Sequence, residues 1–188
     1  MESTIVAPAG VGTWLEILPV FGDAAGLQCL RPCGEQSWRL PYRGGRAVQE
    51  LVLARLAGAD LDPAVVHSTS WRQERDGAVL LSHLAVLRTA SGVAPPLEPW
   101  PVRRRELARG TAVDATAFVD VGQVVEHALR HLAWLADDDE AVRLALCPGW
   151  LERLADYRPE PFRMFAARPG ALTAASGRPG LGDGTPAH

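Results

Sequence analysis

The chain has 188 residues, 47% of them hydrophobic, and a formal net charge of −3. That length suits one domain with appendages, able to bury a core without disulfide or metal staples, and the composition excludes a disordered chain. The charge excludes a strong positive field of the kind that gathers nucleic acid or an acidic membrane surface.

Residues 13–21 read as a first strand, placed at a sheet edge by Pro19. Gly22, Asp23 and Gly26 mark a turn, Leu27 to Arg31 a second strand, and Ser37 to Leu40 a short third strand stopped by Pro41. After a loop at Arg43-Gly44-Gly45, apolar residues recur at helical spacing from Arg46 to Ala57, and Gly58 stands where a helix stop is expected. Val65 to Arg72 and Ala78 to Arg88 form a hairpin through Asp76-Gly77, and the second arm lacks alternation, as a strand buried on both faces does. Residues 89–101 are rich enough in proline and glycine to read as an irregular connector. Val102 to Arg109 is a short helix or an extended segment, and Val113 to Val119 a further strand.

From Asp120, a plausible N-cap, the pattern turns helical. Val121, Val124, Val125, Ala128, Leu129, Leu132 and Leu135 share one face. Shorter helices follow at about Asp139 to Leu146 and Trp150 to Tyr157. Residues 1–167 are thus expected to form a single domain, sheet-rich over 13–119 and helical over 120–157. A segment at 158–167 docks onto it through Phe162 and Phe165. Residues 168–188 are too poor in apolar groups to order themselves and read as a disordered tail.

All 19 basic residues are arginine, which, with the Ala, Gly and Pro excess, reads as the mark of a GC-rich bacterial genome. The functional alternative is arginine's rigid anion-binding fork. Residues 1–12 lack the features of a signal peptide, and no run approaches the roughly 18 apolar residues of a membrane span. Three cysteines at no framework spacing fit buried free thiols in a reducing compartment, so a cytoplasmic location is expected.

Trp38-Arg39-Leu40-Pro41, the Gly44-Gly45 loop, the helix to Ala57, Gly58 and a strand at Val65 form a strand–loop–helix–loop–strand order. Over roughly residues 13–90 this order resembles the Nudix superfamily. The resemblance implies an α+β fold. Its mixed or antiparallel sheet has one helix after the third strand, and a helical C-terminal part covers it. Family members carry an Arg-Glu pair and a Glu-Glu pair on that helix, whose carboxylates hold Mg²⁺ against a diphosphate. Here the helix reads Gln49-Glu50-Leu51-Val52-Leu53-Ala54-Arg55, so Leu53 and Ala54 fall where the Glu-Glu pair belongs. A lone Glu50 offers a hard cation too few oxygens. The resemblance therefore implies a degenerate scaffold without the metal-binding carboxylates, and no cofactor. An unrelated α+β domain with a similar pattern is the alternative.

His67-Ser68-Thr69 lies on a predicted strand, and His83 on its hairpin partner. As cross-strand neighbours they are the first choice for a ligand-contacting pair. A hydrolase or phosphoesterase using His67 and His83, or a divergent metal site built around Glu50, is the rival reading. His127 and His131 have the i, i+4 spacing of a two-histidine metal site, but no Glu follows His127, and a helix border accounts for them. Arg103-Arg104-Arg105 with Arg109 reads first as a solvated face. Asp137-Asp138-Asp139-Glu140 reads as the cap of the following helix. The sequence thus points to a non-catalytic, Nudix-like ligand-binding or interaction domain. Arg39, Arg43, His67 and His83 are its candidate contacts to a small phosphorylated or carboxylated ligand, in a groove between the sheet and the loop Tyr42–Arg46. Nucleic acid and membrane are not expected partners, and a homodimer is compatible.

Overall fold

Apolar side chains on both faces of residues 13–21 require cover on both sides, and the strand they build lies inside a sheet. The computed structural model describes residues 12–74, 76–89, 96–107 and 119–160. Its strands are β1 (Thr13–Asp23), β2 (Gly26–Pro32), β3 (Trp38–Tyr42), β4 (Pro63–Gln73), β5 (Val79–Leu87) and β6 (Leu97–Pro101). Its helices are α1 (Val48–Ala57), α2 (Val121–Asp138), α3 (Glu140–Ala145) and α4 (Pro148–Leu154). The six strands make one mixed sheet in the order β4-β5-β1-β2-β6, with β3 also paired to β1. The β1–β5 ladder is parallel and the others are antiparallel.

Two expectations about proline are corrected here. Pro19 does not put β1 at an edge, because β1 pairs with β5 on one side and with β3 and β2 on the other. The residue without an N–H sits where the antiparallel partner changes, between Ile17↔Trp38 and Val20↔Cys29. The connector over 89–101 is not wholly irregular, since Leu97–Pro101 pairs with β2. Its Pro99 and Pro101 are accommodated because β6 is an edge strand.

The registers sort the core into two layers. Leu18, Val20, Cys29, Leu84 and Val86 face α2, α3 and α4 and bury against Val124, Val125, Ala128, Leu129, Leu132, Leu146, Trp150 and Leu154. Leu15, Ile17, Phe21, Leu30, Trp38, Ala85 and Leu87 face the other way and bury against Val52 and Leu56 of α1 and against Leu61. Each fully buried aliphatic side chain contributes about 1.5–3 kcal/mol relative to exposure. The sheet is therefore the middle of three layers, as β5, buried on both faces, required.

Asp120 caps α2 by accepting from the backbone N–H groups of Gly122 at 2.7 Å and Gln123 at 3.2 Å. The Gln123 side chain accepts from the Asp120 N–H in return. Asp139 caps α3 in the same manner, accepting from Ala141 at 2.8 Å. Gly77, at φ 86°, turns the β4–β5 hairpin with a backbone that L side chains resist. Residues 102–107 form neither a strand nor a helix. The strand expected at Val113 to Val119 lies outside the described residues except for Val119. Phe162, Phe165 and the tail at 168–188 lie outside them entirely. Among the described residues no helix is long and apolar enough to cross a membrane.

Candidate functional site

The ladders align four polar residues in one row across the sheet, on the α2 side: Ser70 of β4, Ser82 of β5, Glu16 of β1 and Arg39 of β3. Glu16 and Ser82 are wholly buried. Arg72, two residues further along β4, grips the Glu16 carboxylate with both guanidinium nitrogens, Nη1 to Oε2 at 2.5 Å and Nη2 to Oε1 at 2.7 Å. Ser82 Oγ donates to Glu16 Oε2 at 2.8 Å. Burial pushes the Glu16 carboxyl up, but Arg72, by hydrogen bond and by charge, and the hydroxyls of Ser37 and Ser82 outweigh it. The group lies below the usual carboxylate range.

Arg39 is likewise engaged, donating from Nε to Ser37 Oγ and from Nη1 to Glu74 Oε2, both at 3.0 Å. Arg43 is exposed on the loop after β3, next to Gly44 and Gly45, which both hold positive φ. Of the two arginines expected to meet a ligand, one is tied into the protein and one faces outward. Trp14, in register with Pro41 and Leu80, leaves 37% of its surface exposed beside this row.

The histidines separate. His67 is in register with Leu84 and Ser68 with His83, so the two rings leave the sheet on opposite faces. They are not the cross-strand pair expected from the hairpin, because the register is displaced by one residue and the side-chain period is two. His83 points away from α2, is buried, and holds Nδ1 at 3.0 Å from the Leu81 carbonyl. Its burial depresses its pKa, with the carbonyl acting in the opposite direction.

His67 instead meets α2. It stacks on His131 with ring centroids 5.1 Å apart and planes at 24°, and His131 in turn contacts Trp134 at 5.6 Å. His131 is 9% exposed, and neither of its ring nitrogens has a hydrogen-bond partner among the described residues. One turn earlier, His127 Nε2 lies 3.3 Å from the Thr69 carbonyl. His127 and His131 thus turn toward β4 and do not simply border the helix. Burial lowers the His67 pKa, and the neighbouring His131 and His83 lower it further.

On α1, Gln49, Glu50, Leu53 and Ala54 are exposed while Val52 and Leu56 enter the core. Among the described residues no group of three or more His, Cys, Asp or Glu side chains could hold a metal ion.

Sequence reasoning missed both buried carboxylates, Glu16 and a second one on α2. Glu126 of α2 is fully buried and receives Arg104 Nε at 3.1 Å and Nη2 at 3.0 Å, Arg130 Nε at 2.8 Å and the Arg105 backbone N–H at 3.2 Å. Arg104 also donates to the Asp156 carbonyl and lies over the Tyr157 ring, 4.0 Å from its centroid. The arginine cluster is thus no mere solvated face. Arg103, Arg104 and Arg105 are all exposed, yet Arg104 ties residues 102–107 to the helical layer through Glu126. The glutamate could have been suspected from its position among Val124, Val125, Ala128 and Leu129. The cysteines also depart from expectation: Cys29 is buried, whereas Cys33 and Cys147 are exposed.

These observations define a mixed α+β protein with a six-stranded sheet, four helices and two buried carboxylates held by arginines among its described residues. No family model and no curated protein matches the sequence. Among solved structures, the chain is similar to Shewanella oneidensis NrtR, with 14% identity and a TM-score of 0.43, over 66% of this chain and 65% of that one. A likeness at that distance carries no argument about activity or ligand.

Proposed function

We propose that this chain is a non-catalytic binding or interaction domain on a degenerate Nudix-like scaffold. One observation carries the reading: the solvent-facing side of α1 holds Gln49, Glu50, Leu53 and Ala54, a single carboxylate where diphosphate hydrolysis needs a cluster. The order β3, loop, α1, β4 supports the scaffold assignment. The surface best suited to a small phosphorylated or carboxylated ligand is the end of the sheet where β3 leaves its pairing with β1 and the loop carrying exposed Arg43 and Arg46 begins, with Trp14 partly exposed on β1. Arginine forks suit such anions, and Trp14 offers a flat apolar wall. His67 and His83 take no joint part in this reading, because the sheet lies between them.

Two measurements test it. Incubation with nucleoside diphosphate compounds and Mg²⁺ or Mn²⁺ is expected to give no turnover above background. Turnover that disappears in Glu50→Gln would overturn the proposal. A thermal-shift screen of nucleotides and sugar phosphates is expected to find a stabilising ligand whose effect is lost in Arg43→Ala. Stabilisation unchanged by that substitution would move the ligand away from this surface.

A further inference from the structure

The contact between α2 and β4 contains a feature the binding surface does not use. His67 and His131 stack at 5.1 Å across it, and His131 is 9% exposed with no hydrogen-bond partner for either ring nitrogen among the described residues. Two neutral imidazoles stack favourably. A proton on His67 places a charge in this partly buried contact.

The charged groups of the surrounding elements are engaged elsewhere or exposed. Arg72 of β4 grips Glu16, and Glu126 and Arg130 of α2 pair with each other. Glu140 and Arg143 of α3 pair at the surface, and Arg153 of α4 donates to the carbonyls of Gly149 and Asp23. Asp62 and Arg88 pair at the far ends of β4 and β5, while Asp137, Asp138 and Glu152 are exposed. The other titratable neighbours are themselves histidines: His127 on α2, near Thr69, and His83 through the sheet. Among the described residues no ion pair joins a carboxylate to His67 or His131, so none of them stabilises an added proton there.

We propose that the His67–His131 stack is an acid-sensitive latch that holds α2 on β4 while the His67 ring is neutral and loosens when that ring takes up a proton. The sign follows from the depressed His67 pKa. The folded contact binds its proton less readily than the open one, whose ordinary value is 6.5. The latch is therefore complete above that value and weakens as pH falls below it toward the lowered folded one. Loosening at this seam frees the helical layer from the sheet edge and leaves α1, on the opposite face, in place.

Hydrogen exchange on the full chain tests this. Between about pH 7.5 and about pH 5.5, after correction for intrinsic exchange, protection is expected to fall at Val65–Thr69 and His127–Ala136 and to hold at Leu51–Ala57. The loss should be at most about tenfold, because pH 5.5 lies about one unit below the ordinary histidine value of 6.5. His67→Phe keeps an aromatic ring without the titration and should keep its protection at the lower pH. An equal loss in that variant, a loss shared by α1, or no loss in the wild type would overturn the latch. Should the variant fail to fold, the wild-type histidine ring signals decide by NMR titration: His67 below 6.5 supports the latch, and a value at or above it refutes it.

Discussion

At the scale of single residues, the protein depends on two carboxylates that water does not reach. Glu16 stands in an otherwise apolar stretch of β1, and its charge is held there by the Arg72 fork and the Ser82 hydroxyl. Removing one member of a buried ion pair costs about 3–5 kcal/mol, because the other is left charged without a partner. Glu16→Leu or Arg72→Met alone should lower stability by about that amount in urea denaturation, whereas the double variant should lose far less than the sum. Two additive single losses would show that the pair does not act as one unit. Because the folded Glu16 pKa is depressed, its contribution is present above the ordinary value of 4.5 and disappears as pH falls through the folded one. The glutamate was not singled out from the sequence, although a charge inside a hydrophobic run is the signal that could have found it. Its partner carries no such signal, because Arg72 lies 56 residues away and reaches it only through the β4–β5 and β1–β5 ladders.

At the scale of elements, local chemistry sets where α2 begins, and packing sets which of its residues matter. Asp120 and Gln123 satisfy N–H groups that the first helical turn leaves without partners. Asp120→Ala should therefore destabilise the protein by about 1 kcal/mol, read as a lower urea midpoint with an unchanged slope. A midpoint equal to wild type would mean that the capping box contributes nothing. This cap was legible from Asp120 and the periodic residues after it. The edge position of β6 was not, because the prolines that argued against a strand are tolerated only where one side of the strand lacks a neighbour.

At the scale of the whole molecule, three layers enclose Cys29 while Cys33 and Cys147 stay outside. Burial pushes the Cys29 thiol up to about 12, with the charge of Glu16 adding to it, so almost no thiolate forms in the folded state near neutral pH. A thiol reagent in excess should label Cys33 and Cys147 quickly, and Cys29 only at the rate at which the core opens. Rapid labelling of all three in the native protein would contradict the enclosed core. Urea should abolish the difference between sites, which makes Cys29 a reporter of core opening for the buried-pair variants as well.

The sequence by itself determined the order of β1 to β5 and of the four helices, the hairpin, the caps and the shortage of acidic side chains on α1. Periodicity, capping residues and composition act over a few neighbours along the chain. Tertiary structure alone decided that β1 is interior, that His67 faces His131 rather than His83, and that Arg39, Arg72 and Arg104 are tied into the protein. Those outcomes turn on strand register and helix placement. A shift of one residue exchanges the two faces of a strand, so no local pattern fixes which distant side chains share a surface.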